Sequence, residues 1–251
     1  MNVVDEAASS GLEADEASAS MPRLDVTIDG PAGTGKSSVA RLVAQRLGLE
    51  VLDTGAMYRA VALVACRTEV DPADEPAVLA ALDRHPIGVD TGISPFVTTI
   101  DGTDPGDAIR SPEVEAIVSI VAALPGVRAR LVDLQRSVGA RSPRLVTEGR
   151  DQGSVVFPDA TVRFYLTASA DTRADRRVTQ IRARGGDADR RAILAGIESR
   201  DRLDASRQDA PLVRPDGAVT LDTDRLTLDE VVERLVAEVH ARASAPGDGP
   251  A

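Results

Sequence analysis

The sequence predicts an α/β domain built on a parallel β-sheet. Three observations carry that prediction. Apolar residues switch between two-residue and helical spacing along the chain, so strands and helices take turns. A glycine-rich turn joins the first strand to the first helix. The chain has 251 residues, 43% of them hydrophobic, which is enough to bury a full core without staples. Cys66 is the sole cysteine, so no internal disulfide can form. No apolar run approaches the roughly 18 residues of a membrane-spanning helix.

The elements follow in order. In the run Leu24–Ile28, Leu24, Val26 and Ile28 alternate with Asp25 and Thr27, a strand more polar than a central parallel strand usually is. Val39, Leu42, Val43 and Leu47 recur at helical spacing, and Gly48 is a fitting stop. Leu49–Leu52 reads as a short strand ending in Asp53-Thr54-Gly55, with a helix over 56–67 behind it. Residues 71–112 are rich in Pro, Gly, Asp and Thr. They predict turns with small strands near Val89 and over Val97–Ile100, an insertion rather than a core strand–helix unit.

A helical stretch over 112–139 is interrupted at Leu124-Pro125-Gly126. Leu145 and Val146 mark a strand leading into Glu148-Gly149-Arg150-Asp151, and Val162, Phe164 and Leu166 alternate in another. Residues 171–209 form a charged segment with ten arginines, and Val219 and Leu221 mark a last strand. Thr227 and Glu230 have the spacing of a capping box, ahead of an apolar face of Val231, Leu235, Val236 and Val239. No internal repeat is present. Residues 1–20 carry five acids, no base and hardly any large apolar side chain, so they read as a disordered acidic tail. They lack the basic and apolar regions of a signal peptide, and Met21 is the expected natural start. Residues 21–243 read as a single domain and 244–251 as a second disordered tail.

Composition narrows the partners. The net charge of −11 argues against non-specific nucleic-acid binding, which needs a basic face. With two Tyr, three Phe and no Trp there is little to stack single-stranded bases on. His85 and His240 lie far apart and suggest neither a metal site nor an acid–base pair. The expected partners are small molecules, with no nucleic acid and no membrane; a monomer in the cytoplasm is the default. Of 29 basic residues, Lys36 is the one lysine and the rest are arginine.

Gly30-Pro31-Ala32-Gly33-Thr34-Gly35-Lys36-Ser37 fits the phosphate-loop pattern G-x-x-x-x-G-K-[ST] at every fixed position. Glycines let successive N–H groups converge on one phosphate, and the following helix turns its positive end to the same anion. A compact ammonium at Lys36 suits the β- and γ-phosphates in a way that a planar guanidinium does not. The Ser37 hydroxyl can reach Mg²⁺. The alternative is a glycine-rich turn that binds nothing, but a strand before and a helix after are the context the motif requires.

The single lysine prunes the classes that use such a loop. The [NT]-K-x-D motif by which common GTPases read guanine cannot exist here. The run Leu145-Val146-Thr147-Glu148-Gly149 is a poor match to the apolar strand ending in Asp-Glu of motor ATPases. What remains is a kinase moving a γ-phosphoryl group to a small acceptor, which needs arginine forks on the acceptor side. Arg59, Arg128 and Arg150 are the candidates, although any one arginine can equally be a solvated surface charge. Arg150-Asp151 stands out because it follows a strand, and ligands sit at the carboxyl ends of parallel strands. A nucleotide-dependent switch that regulates a partner is the rival from another class, and it would show no acceptor-dependent turnover.

Together the motifs resemble those of bacterial cytidylate kinases. The resemblance rests on Ile28–Ser37, Leu52-Asp53-Thr54-Gly55-Ala56-Met57-Tyr58-Arg59, Ile109–Val114, Glu148–Asp151, Val155–Ala160 and Arg200–Arg207, and it covers residues 24–240. It implies a three-layer phosphate-loop fold with a five-stranded parallel sheet, a CMP-binding insertion near 85–107 and a lid near 173–195. It implies ATP as phosphoryl donor with Mg²⁺ at Ser37, and CMP or dCMP as acceptor. Gly30, Pro31, Ala32, Gly33, Thr34, Gly35, Lys36, Ser37 and Ser38 would bind ATP, with Lys36 and Arg150 catalytic. Thr54, Arg59 and Arg150 would hold the CMP phosphate. Ser119, Arg128, Asp151 and Arg207 would read cytosine, and Arg200 and Asp204 the ribose.

The chemistry of the base agrees. Cytosine offers an amino donor that suits Asp151 and two acceptors that suit an arginine, and a site built on such pairs rejects UMP. UMP, dTMP, AMP and shikimate remain rival acceptors. Asp53 can sit near the Mg²⁺ water shell or near the acceptor. Arg173, Arg176 and Arg177 share a helix face. They can meet ATP phosphates along with Arg182 and Arg184, or pair with Asp171 and Asp175. Gln152 departs from the apolar residue expected beside Asp151.

Overall fold

The computed structural model describes residues 23–92, 94–183, 185–206 and 211–244. The tail 1–20, Met21, Arg184, Arg207 and residues 245–251 lie outside them. Five strands form one all-parallel sheet: β1 (Leu24–Asp29), β2 (Glu50–Asp53), β5 (Arg144–Gly149), β6 (Val162–Thr167) and β7 (Val219–Asp222), in the order β2-β5-β1-β6-β7. Between β2 and β5 in sequence, β3 (Ile87–Asp90) and β4 (Val97–Ile100) pair apart from this sheet as an antiparallel hairpin. The helices are α1 (Lys36–Leu47), α2 (Thr54–Arg67), α3 (Glu75–Arg84), α4 (Pro112–Val121), α5 (Pro125–Arg141), α6 (Ala170–Ala183), α7 (Arg190–Ser206) and α8 (Leu228–Ala243).

Two apolar layers hold the sheet. On one face Val26 and Ile28 of β1, Val146 of β5 and Val162, Phe164 and Leu166 of β6 pack on Val39 and Val43 of α1 and Val232 and Leu235 of α8. On the other, Leu52 and Leu145 join α2, α3, α4, α5 and the hairpin. In β2 and β5 alternation divides apolar side chains between the two layers, Val51 and Val146 to the first and Leu52 and Leu145 to the second.

β1 is buried over its whole length despite its polar residues. Its polar face lies under a single π-turn, Gln152–Val156, that follows β5. The Asp29 carboxylate accepts hydrogen bonds from the backbone N–H groups of Gln152 (2.8 Å) and Gly153 (2.7 Å). The polar alternation that weakened the strand reading is therefore a socket for the loop that carries Arg150 and Asp151.

The segment 71–112 differs from expectation by holding α3. Asp74 caps it by accepting from the Ala77 N–H at 3.1 Å, and Pro76 sits in the first turn, where its missing N–H costs nothing. Val78, Ala81 and Leu82 give it a buried stripe that the surrounding Pro and Asp residues obscured. The break at Leu124-Pro125-Gly126 separates α4 from α5, and Thr227 and Glu230 form a complete capping box on α8. Among the described residues, no helix is long and apolar enough to cross a membrane.

Candidate active site

Register brings three loops to one edge. Asp29 pairs with Gly149 across β1 and β5, and Asp53 with Glu148 across β2 and β5. The glycine-rich loop, Asp53-Thr54 and Glu148–Asp151 thus all leave the carboxyl ends of adjacent parallel strands, where open α/β sheets bind ligands.

The loop curls as its glycines require. Gly30 has φ 145°, and a Cβ there would run into the carbonyl oxygen of Leu166. The Lys36 ammonium folds back to donate to the Pro31 carbonyl at 2.9 Å, and the Thr34 hydroxyl donates to the same oxygen at 3.1 Å. Gly35, in the left-handed region, supplies no side-chain cap to α1, and the first turn of α1 holds no acid. An anion is the natural cap for such a helix start. Burial pushes the Lys36 pKa down, and the positive charge of Arg150 pushes it further. Ser37 donates to Glu148 Oε1 at 2.6 Å, whereas Ser38 points to solvent.

Glu148 had no role in the sequence reading beyond its place in a motif. It is buried, and burial together with the charge of Asp53 raises its pKa. It touches Ser37 on one side and lines the neighbouring cleft on the other. That cleft is lined by Thr54, Arg59, Ser119, Arg128, Arg150, Asp151, Arg200 and Asp204, all eight predicted acceptor residues that are described, and by Tyr58.

Each arginine of the cleft has a carboxylate. Arg128 and Asp151 form an ion pair, with side chains 6% and 4% exposed. The Arg128 guanidinium also lies over the Tyr58 ring, 5.9 Å from its centroid. Arg150 Nε donates to Asp204 at 2.9 Å. Arg59 and Arg200 both approach Glu115, at 2.8 and 2.7 Å. Thr54 donates to the Glu148 carbonyl at 2.7 Å.

Gln152 is fully buried and explains its own departure from an apolar residue. Its amide accepts from the Thr147 hydroxyl at 2.5 Å and donates to Gln135 Oε1 at 3.1 Å and to Asp151 Oδ1 at 3.3 Å. It holds Asp151 from behind. Burial raises the Asp29 pKa to about 6, a shift that the two backbone N–H bonds oppose. Asp29 lies within a motif and Gln152 beside one, but only the three-dimensional position of the π-turn reveals what they hold.

The arginines of α6 divide their work. Arg173, nearly buried, donates to the Ala32 carbonyl of the glycine-rich loop at 3.1 Å and binds Asp201 through both terminal nitrogens at 3.0 and 2.6 Å. Arg176 donates to the Thr223 carbonyl at 2.6 Å, and Arg177 lies 3.7 Å from Glu115. Asp171 and Asp175 pair with Arg190, the first residue of α7, which packs against α6.

Oxygen donors suit a hard cation. Ser37 Oγ and the Glu148 carboxylate supply two at the foot of the loop. Among the described residues, no group of three or more His, Cys, Asp or Glu side chains could hold a metal unaided. A Mg²⁺ here would therefore rest on Ser37, water and donor phosphates, the usual arrangement for this ion.

Comparison with known proteins agrees with this geometry. The sequence model of the cytidylate kinase family matches residues 26–241. A cytidylate kinase of Rhodococcus jostii (strain RHA1) is 46% identical over 226 residues, covering 90% of this chain and 99% of its own. One of Pelotomaculum thermopropionicum (strain DSM 13744 / JCM 10971 / SI) is 46% identical over 219 residues, with 86% and 96% coverage. Loop, strand-end motifs and full-length similarity coincide in one chain, which belongs to the cytidylate kinase family.

Proposed function

We propose that the protein transfers the γ-phosphoryl group of ATP directly to CMP, and to dCMP, with Mg²⁺ as cofactor. The observation that carries this reading is the Arg128–Asp151 pair, buried on the wall of the cleft. A carboxylate there accepts the cytosine amino group and an arginine donates to the ring acceptors. UMP would put an acceptor against Asp151 and leave both groups mismatched, which costs far more than a lost contact.

Thr54, Arg59 and Arg150 hold the acceptor phosphate in this reading. Ser119, Arg128, Asp151 and Arg207 read the base, and Arg200 and Asp204 the ribose. The stretch Gly30–Ser38 cradles the donor phosphates, with Lys36 and Arg150 meeting the charge that spreads over the transferred group. Ser37 would hold Mg²⁺, which would supply charge neutralisation at the donor phosphates. Residues near 85–107 serve as the acceptor-side insertion, and those near 173–195 as a lid that keeps water from the donor. The enzyme works as a cytoplasmic monomer.

A coupled ADP-release assay with Mg-ATP and CMP, dCMP, UMP, AMP, dTMP or shikimate tests this. Turnover confined to CMP and dCMP is expected. Turnover with another acceptor would discard the base-reading roles of Asp151 and Arg207. ATP binding without any acceptor-dependent turnover would favour a switch.

A further inference from the structure

Three carboxylates face the arginines of the cleft, and they differ in burial. The side chains of Asp151 and Asp204 are 4% and 2% exposed, so each is fixed against its arginine. Glu115 is 30% exposed and serves three arginines from three helices. Its Oε2 lies 2.8 Å from Arg59 Nη1 of α2 and 3.7 Å from Arg177 Nη2 of α6. Its Oε1 lies 2.7 Å from Arg200 Nη1 of α7. Glu115 shares a face of α4 with Val118 and Ser119, three and four residues on, and both of these line the cleft. Its carboxylate is therefore at the cleft mouth, on the forks of two arginines that line it.

We propose that Glu115, held by Arg200, sets acceptor affinity by competing with the acceptor's phosphate for the guanidinium group of Arg59. The proposal rests on the reading of Arg59 as a phosphate ligand. Each Arg59 N–H turned to the Glu115 carboxylate is lost to a phosphate, and a phosphate brought to Arg59 meets the negative charge of Glu115. Glu115, the most exposed of the three carboxylates, is the one that yields. Burial alone would raise the Glu115 pKa, but Arg200 and Arg59 outweigh it and hold it at about 2, so the competitor is charged at any working pH. The arrangement keeps acceptor binding loose and reversible, and makes it depend on a phosphate strong enough to displace a carboxylate.

The test compares wild type with Glu115→Gln, which keeps the shape and loses the charge, and with Glu115→Ser as a second variant. KM for CMP is expected to fall about tenfold, equivalent to about 1.4 kcal/mol, while KM for ATP moves less than about twofold. Inhibition by cytidine, which has no phosphate, should be unaltered. Sulfate, titrated calorimetrically, should bind the variants more tightly than wild type. A KM for CMP that is unchanged or raised, in an enzyme that turns CMP over, overturns the proposal and makes Glu115 an orienting group. A wild type that does not use CMP refutes the acceptor reading instead, and sulfate then decides alone: equal affinity across the three proteins overturns the competition.

Discussion

Replacing Asp151 by Leu separates the fold's need for the Arg128–Asp151 pair from the substrate's. Both side chains are almost fully buried, and arginine cannot shed its proton. The Ala122 carbonyl, 3.4 Å from Arg128 Nη1, and the Tyr58 ring offset little of the lost charge. Breaking a buried pair by removing one partner costs about 3–5 kcal/mol. For a domain of this size each kcal/mol lowers Tm by about 2–4 °C. A drop of about 6–20 °C is expected by calorimetry. The double variant Arg128→Met with Asp151→Leu removes both charges and should recover most of the loss, since apolar replacement of a whole buried pair is often neutral. Neither protein should phosphorylate CMP well, while ATP affinity stays near wild type. A double variant no more stable than the single one would show that the charges are not coupled. Intact CMP turnover in the stable double variant would show that the pair does not read the base.

Two further predictions concern the neighbouring loops. Lys36→Ala should lower kcat by roughly 10²–10³-fold, as for loss of a preorganised charge on the transferred group. CMP binding, measured by calorimetry, should persist; full turnover would remove Lys36 from the mechanism. Asp29→Asn tests the socket under the π-turn. The folded protein keeps the Asp29 proton up to about pH 6, whereas a free aspartate side chain loses it near 3.8. Between those values the folded state holds more protons, so this group lowers stability as pH rises and its full cost is present above about 6. The Tm of wild type relative to Asp29→Asn should fall as pH rises from about 4 to 6. A constant difference across that range would mean that Asp29 does not titrate there.

The glycine-rich loop was legible because its pattern is local. A glycine-rich turn, one lysine and a helix start occupy consecutive residues, and a lone Lys36 among arginines marks the spot. The acceptor half was legible as motifs, but its partnerships were not. Arg150 meets Asp204 across 54 residues, and Arg200 meets Glu115 across 85. Neither separation leaves a periodic trace. The Asp29 socket was hidden for the opposite reason. A polar residue in a strand reads as a weak strand until the loop covering it is in place. α3 was missed because Pro76 and Asp74 read as turn residues, although both are also what a helix start uses. The partner of Asp171 and Asp175 stayed open because it is Arg190, which comes from the next helix.

The charge arrangement resolves an apparent contradiction. A protein with a net charge of −11 has a cleft suited to anionic nucleotides. Overall charge governs long-range encounter, but binding at close range follows the local field. In the cleft that field comes from arginines, and each described one is oriented by an acid: Arg128 by Asp151, Arg150 by Asp204, Arg59 and Arg200 by Glu115. A bare arginine cluster would attract any polyanion. Forks already engaged by carboxylates reward only a ligand that places its phosphate and its base donors where the remaining N–H groups and acceptor oxygens point. The acids therefore reduce raw affinity and raise selectivity, which is what a site must do when a phosphoryl donor and a monophosphate, both anionic, have to enter different halves of it.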